Sequence, residues 1–264
     1  MPVNLSELLG SVTEIAAEAS ARILAVYFTA FEVEEKADTS PVTAADLASH
    51  ELIVSGLRQL APDIPVLSEE ASTLAFNERA RWEYFWLVDP LDGTKEFIKR
   101  NDEFTVNIAL VRGHEPVLGV VRVPVSGICY FAVQGGGAFR QELAKPPQRL
   151  SVQRLGRPIR VVGSRSHAGP ELERFVARLG RHTFVPVGSA LKFCLVAEGK
   201  ADVYPRLGPT SEWDTAAAQC IVEEAGGQVI DVHGQRLAYN KESLVNPHFL
   251  VIGDASHDWL SHLH

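Results

Sequence analysis

Apolar residues recur at spacings of three and four near the start of the chain, at Leu5, Leu8, Val12, Ile15, Ala19, Ile23 and Val26, which predicts an amphipathic helix over about 6–28. Asn4 and Glu7 stand where a capping box would begin it. A second helix is predicted after Ser40-Pro41, with Pro41 in its first turn, and runs to about residue 60. The apolar runs Pro65-Val66-Leu67 and Tyr84-Phe85-Trp86-Leu87-Val88 read as short buried strands. From Phe104 the period changes to strict alternation, with Phe104, Val106, Ile108 and Leu110 on one face and Thr105 and Asn107 on the other. Further strand-like runs at 117–123, 128–133 and 138–140 are broken by Gly and Pro, which predicts a meander and hence an antiparallel sheet.

The later part alternates strands near 159–162, 182–185 and 202–204 with helices over 170–179 and 190–198. A helix over 214–225 follows, then strands near Val229 and over 249–252, and a terminal helix. The weakest boundary lies around 144–158, a stretch rich in Pro, Gln and Arg. It separates an α+β half (1–145) from an α/β half (146–264), with strands and helices layered into one integrated catalytic unit. Gly135-Gly136-Gly137 has the look of a phosphate loop, but its place between two antiparallel strands predicts a hairpin.

Composition narrows the class. A chain of 264 residues with 46% hydrophobic and 22% charged residues is that of a globular enzyme, one large domain or two small ones around a shared core. No window approaches eighteen uninterrupted apolar residues, and the opening Met1-Pro2-Val3-Asn4 lacks the basic and apolar regions of a secretory signal. Cys129, Cys194 and Cys220 are odd in number and far apart, which suggests neither a disulfide framework nor a Cys-x-x-Cys metal site. Cys194 and Cys220 fall in apolar helix patterns as buried thiols. A reducing cytoplasm is the expected compartment, with peripheral attachment to the inner membrane left open, as is the choice between monomer and homodimer. The net charge of -8 excludes a non-specific binder of nucleic-acid polymers. It also sets a puzzle: a phosphorylated substrate needs the local field reversed, and bound cations do this most simply.

Acidic residues cluster in the segments Leu67-Ser68-Glu69-Glu70, Val88-Asp89-Pro90-Leu91-Asp92-Gly93-Thr94 and Trp213-Asp214-Thr215-Ala216-Ala217, with Asp46 a further candidate. Carboxylates at strand exits converge at one end of a sheet, and hard divalent cations favour such oxygen ligands. In Asp89-Pro90-Leu91-Asp92-Gly93-Thr94 the proline fixes the backbone after Asp89 and the Leu91 carbonyl can turn towards a metal. Gly93 permits the bend that brings the Thr94 hydroxyl beside an attacking water. Each feature also has a plain structural reading. Asp92-Gly93 is ordinary turn chemistry, Asp214 could cap its helix, Asp46 could close a capping box with Thr43, and Glu69-Glu70 could be a solvated pair. The combination of spacings and contexts is what those readings leave unexplained.

With these segments in this order, the chain resembles the inositol monophosphatase superfamily of lithium-sensitive phosphatases, over about 12–249. The most specific match is Asp-Pro-Leu-Asp-Gly-Thr followed later by Trp-Asp-x-Ala-Ala. Within that superfamily it is most similar to the CysQ-type 3'(2'),5'-bisphosphate nucleotidases. The matching stretches are Lys36-Ala37-Asp38-Thr39-Ser40-Pro41-Val42-Thr43-Ala44-Ala45-Asp46, Asp92-Gly93-Thr94-Lys95-Glu96-Phe97-Ile98-Lys99-Arg100-Asn101, and Ser189-Ala190-Leu191-Lys192-Phe193-Cys194-Leu195-Val196-Ala197-Glu198-Gly199. The resemblance implies a five-layered α/β/α/β/α sandwich. It further implies ligation of two Mg2+ ions by Glu69, Asp89, the Leu91 carbonyl, Asp92 and Asp214, with Asp46 serving a third. Thr94, with Glu69 or Asp46, would orient the attacking water and help to deprotonate it.

Inositol monophosphatases continue Asp-Gly-Thr with Asn-Phe and a nearby His; here the continuation is Lys95-Glu96-Phe97, which shifts the expected substrate to a nucleotide bisphosphate. A bisphosphate needs a second anion site, for which Ser189, Lys192 and Arg206 are candidates, alongside Asp92, Gly93, Thr94 and Asp214 at the reacting phosphate. His167 in Gly163-Ser164-Arg165-Ser166-His167 is a candidate to stack on the base, while His257, His262 and His264 lack the context of a metal site. The leading expectation is hydrolysis of adenosine 3',5'-bisphosphate, with a role in sulfate assimilation. The alternatives are an inositol or sugar monophosphatase and a non-catalytic nucleotide or metal sensor.

Overall fold

The computed structural model describes residues 4–35, 41–71, 74–164 and 169–263. Helix α1 (Leu5–Tyr27) follows the predicted stripe, burying Val12, Ala16, Ala19, Ile23 and Tyr27. Its start differs from expectation: Asn4 is the N-cap residue but makes no side-chain cap bond, so the expected capping box with Glu7 does not form. Strands β1 (Val33–Glu35) and β2 (Pro41–Thr43) pair as an antiparallel ribbon. Pro41 therefore lies in a strand and not in a helical first turn. Helix α2 (Ala44–Leu60) begins after it, where the Thr43–Asp46 capping box satisfies the free amides and so sets the start.

Strand β3 (Val66–Ser68), a short helix α3 (Phe76–Arg79), β4 (Tyr84–Asp92) and a second short helix α4 (Thr94–Ile98) come next. The meander follows as β5 (Thr105–Arg112), β6 (Glu115–Arg122), β7 (Cys129–Val133), β8 (Gly137–Gln141) and β9 (Gln148–Arg149). Together they make a seven-stranded sheet in the order β3-β4-β5-β6-β7-β8-β9, antiparallel except for the β3–β4 pair. The glycine run between β7 and β8 is a hairpin, its Gly135 and Gly137 amides held by the Glu224 carboxylate at 2.9 and 2.8 Å.

The remaining elements are β10 (Ile159–Ser164), α5 (Pro170–Arg178), β11 (His182–Val187), α6 (Leu191–Ala197), β12 (Val203–Arg206), α7 (Ala216–Glu224), β13 (Gln228–Asp231) and β14 (Phe249–Ile252). They form a mixed five-stranded sheet ordered β11-β10-β12-β14-β13. In place of the expected terminal helix there is a 3-10 turn at Leu260–His262, where His257 and His262 meet through their Nε2 atoms at 3.1 Å.

The layers follow from what each helix covers. α1 and α2 cover one face of the large sheet, where Phe104, Val106, Ile108 and Leu110 join Val12, Ile23 and Ile53 in one core. α7 packs on the opposite face and α6 beside it, so these two helices separate the sheets. α5 lies on the outer face of the small sheet with Ile159, Val203 and Trp259. This is the expected α/β/α/β/α sandwich. Its central core mixes the two halves of the chain, with Phe85, Leu87 and Val121 against Phe193, Ile221 and Phe249. The approach of α7 to β6 is close enough that a Cβ on Gly119 would lie 2.1 Å from the Ala217 carbonyl oxygen. No helix among the described residues is long and apolar enough to cross a membrane.

Candidate active site

The site begins with an irregularity in β4. Its pairing with β5 runs in register to Asp89↔Asn107 and resumes at Asp92↔Thr105, so three steps on one strand oppose two on the other. That extra residue is a bulge, and Pro90, with no amide to donate to a ladder, suits it. The Asp89 carboxylate accepts the Leu91 amide at 3.1 Å, and Ser49 of α2 donates to the Pro90 carbonyl at 2.8 Å, which pins the bulge from both sides. Gly93 then adopts φ 96°, a left-handed conformation that turns the chain into α4. Thr94 is thereby placed to donate its hydroxyl to Asp46 at 3.2 Å, with the Leu91 carbonyl at a long 3.5 Å.

Asp46 serves both readings open to it. One oxygen closes the capping box with the Thr43 amide (2.8 Å) and hydroxyl (2.6 Å), and the other accepts from Thr94. Asp214 does not cap α7, which starts two residues later behind Thr215; its carboxylate accepts the Ser211 amide at 2.9 Å instead. Glu69 sits just past β3, half-buried, with its amide bonded to the Val88 carbonyl at 3.1 Å. Glu69, Asp89 and Asp214 each present an oxygen within 4.8 Å of the others.

Such crowding has an electrostatic signature. Burial, then the charges of Glu69, Asp92 and Asp214, hold the Asp89 carboxyl well above the usual carboxylate range. Burial, then Asp92, pushes Asp214 up to about 8. Asp92 is raised by burial against the opposing pull of Lys192 and of a hydrogen bond from Asn107. Asp46 is also raised by burial, offset in part by its bonds from Thr43. Hard oxygen donors that resist ionisation for want of positive charge are the donor set a magnesium-type cation requires. The residues fit such an ion.

A cleft of about 280 Å³ opens onto this cluster, lined by Glu69, Asp92, Gly93, Thr94 and Asp214 on one side and by Ser189, Lys192 and Arg206 on the other. Lys192 stands in the first turn of α6, 6% exposed, donating to the Ser189 carbonyl at 2.5 Å with its ammonium 5.3 Å from the centre of the Tyr204 ring. Burial pulls its pKa down to about 8, with Asp92 opposing. Ser189 holds φ 46°, a strained conformation for a non-glycine residue, and its hydroxyl is buried without a hydrogen-bond partner among the described residues. Arg206 Nε and Thr210 Oγ1 in the same cleft are likewise unpartnered. Three orphaned polar atoms in one cleft point to a polar ligand.

Among the expected residues, Leu91 and Asp89 lie behind the cleft wall, 2% and 1% exposed, and His167 lies outside the described residues. Sequence reasoning missed Thr210 and Tyr204 in the cleft, and it missed the roles of Thr105 and Asn107. The latter two are buried and approach the Asp92 carboxylate at 3.4 and 3.3 Å, which fixes its orientation. Their signal was visible: polar residues alternating within a strand buried on both faces.

A family model described as the inositol monophosphatase family matches residues 4–261. The 3'(2'),5'-bisphosphate nucleotidase CysQ of Salmonella typhimurium is 52% identical over 248 residues, covering 92% of this chain and 99% of that protein. Its namesake from Shigella flexneri is 51% identical over 247 residues, with the same coverage. The crystal structure of CysQ from Bacteroides thetaiotaomicron, a bacterial member of the inositol monophosphatase family, superposes with a TM-score of 0.83 at 43% identity. It covers 94% of this chain and 97% of its own. With relatives of like sequence and like fold over more than nine-tenths of its length, this chain belongs to the inositol monophosphatase family.

Proposed function

We propose that this chain is a magnesium-dependent 3'(2'),5'-bisphosphate nucleotidase. It hydrolyses adenosine 3',5'-bisphosphate to AMP and phosphate, and the 5'-phosphosulfate analogue to adenylyl sulfate, as a step serving sulfate assimilation. The observation that carries the reading is the two-sided cleft, with a carboxylate cluster facing a buried lysine, an arginine and orphaned hydroxyls. A monophosphate calls for the first side alone; a second anion accounts for the other. The CysQ proteins at 51–52% identity support the same substrate class.

Glu69, Asp89, the Leu91 carbonyl, Asp92 and Asp214 would hold two Mg2+ ions, with Asp46 at a third. Bound there, such cations would neutralise the carboxylates and supply Lewis-acid stabilisation for the phosphate oxygens. Thr94, whose hydroxyl hydrogen goes to Asp46, has lone pairs left to accept from the attacking water, and Glu69 or Asp46 takes the proton. A bond forms from the water oxygen to phosphorus, the bond to the ribose 3'-oxygen breaks, and that oxygen gains a proton. Lys192, Arg206, Ser189 and Thr210 grip the 5'-phosphate. In this reading the halves 1–145 and 146–264 form one catalytic unit, since the first supplies most carboxylates and the second supplies Asp214 and the anion site.

The purified protein with Mg2+ should release phosphate faster from adenosine 3',5'-bisphosphate than from inositol 1-phosphate, and lithium should inhibit it. The opposite ranking would overturn the substrate assignment. An Asp92→Asn variant no slower than its parent would leave only a sensor of nucleotides or metal.

A further inference from the structure

The loop that follows Arg206 at the end of β12 sends Thr210 and Asp214 into the cleft, yet it is held from behind by a segment with no part in the cleft. Glu212, two residues before Asp214, is 0% exposed. Its carboxylate accepts the Asn240 amide at 2.7 Å, the Lys241 amide at 3.0 Å and the Lys241 ammonium at 2.6 Å. The same residue's main chain is fixed as well: its amide donates to the Leu244 carbonyl at 2.9 Å, and its carbonyl accepts from the Thr215 hydroxyl and the Ala216 amide at 3.1 Å each. Lys241 also donates to Asn246 at 3.2 Å, and Asn246 secures the Ser211 carbonyl through its side chain and the Thr210 carbonyl through its amide, both at 2.8 Å. Ser211 is the residue whose amide holds the Asp214 carboxylate. An ion pair with one partner buried adds little net stability over a packed apolar pair, but it has direction, and every polar atom of this one is engaged.

We infer that Glu212 and Lys241 form a positioning pair that fixes Asp214 for cation binding and Thr210 for phosphate binding. The inference rests on the reading of Asp214 as a cation ligand. Neither residue touches the substrate; both act through the turn between Thr210 and Asp214. Outer partners of metal ligands typically contribute about 10- to 100-fold to metal affinity, and an effect at the lower end of that range is expected here.

The test titrates Mn2+ into the full-length protein and follows the free ion by its electron paramagnetic resonance signal, beside steady-state kinetics and thermal unfolding. Lys241→Met, at a side chain 29% exposed, should fold. It should weaken Mn2+ binding and raise KM about tenfold, with kcat at saturating cation and substrate changed less than about threefold. Lys241→Arg should restore both, and Glu212→Gln should resemble Lys241→Met. If Lys241→Met and Glu212→Gln lower the melting temperature but leave the Mn2+ dissociation constant within about twofold of the parent's, the pair is merely structural and the inference fails. Asp214→Asn separates the two levels. Mn2+ binding untouched by that change would remove Asp214 as a ligand, whereas binding lost there and unmoved in Lys241→Met would remove the positioning pair alone.

Discussion

Asp46 accepts three hydrogen bonds in the fold, two from Thr43 and one from Thr94, so deleting the Thr94 hydroxyl leaves its carboxylate still capped. That separates the chemical role of Thr94 from its structural one. Thr94→Val keeps the branched shape and should alter stability by no more than about 1 kcal/mol, the usual net value of a hydrogen bond. If the hydroxyl orients the nucleophile, kcat should fall on the order of a hundredfold with KM little changed. Steady-state kinetics beside thermal unfolding would decide it, and a kcat within about threefold of the parent's would remove Thr94 from the mechanism. Lys192 calls for a substrate comparison. Its buried ammonium meets no carboxylate at hydrogen-bond distance among the described residues, and it faces the cleft from the first turn of α6. Lys192→Met should cost roughly 1.5–3 kcal/mol in kcat/KM for adenosine 3',5'-bisphosphate. Adenosine 3'-monophosphate, lacking the second anion, should be nearly indifferent to the change. Equal losses on the two substrates would mean that Lys192 serves the reacting phosphate instead.

At the scale of elements, the decisive contact is α7 on β6. The helix begins two residues after Asp214, and it lays the Ala217 carbonyl and the Cys220 side chain over Gly119 of that strand. Gly119→Val would drive a side chain into the Ala217 carbonyl and push the helix outward. A cost of about 1–3 kcal/mol is expected, each kcal/mol lowering the melting temperature by roughly 2–4 °C. Activity should fall more than stability, because the N-terminal end of the displaced helix adjoins the carboxylate cluster. A variant that melts early yet has full activity at 20 °C would show the cluster to be insulated from this packing. The same contact shows what was legible in the sequence. Periodicity reports a face, so α1, β5 and the meander were readable from Val12, Ile23 and Phe104 onward. The helix after Gly93 was not, because five residues, Thr94–Ile98, complete too few turns to show a period. Pro41 misled for a different reason: proline suits a strand of a ribbon as well as a helical first turn, and the choice fell to Thr43 and Asp46. The acidic motif was legible in residue identity, whereas Thr210, Tyr204 and the Glu212–Lys241 pair depend on approaches between distant segments that no local pattern encodes.

For the whole molecule, a net charge of -8 and a cluster of buried carboxylates work together on stability. An unfolded aspartate ionises near pH 3.9, whereas Asp214 in the fold does so at about 8, and Asp89 also lies well above its ordinary range. Between those limits the metal-free native state binds protons that the unfolded chain has released. Native stability therefore falls as pH rises through the window, because at the alkaline end the folded protein must carry charges it cannot solvate. Divalent cations replace those protons, and they compete with fewer of them as pH rises. The chelated protein should accordingly melt at a higher temperature at pH 6 than at pH 8.5. Saturating Mg2+ should raise the melting temperature at both values, with a clearly larger increment at pH 8.5. Asp214→Asn, which removes one of the titrating groups, should flatten the dependence in the chelated protein and shrink the Mg2+ increment at alkaline pH. Increments equal at the two pH values would mean that cations bind elsewhere than this cluster, and the charge reversal proposed for phosphate binding would lose its basis.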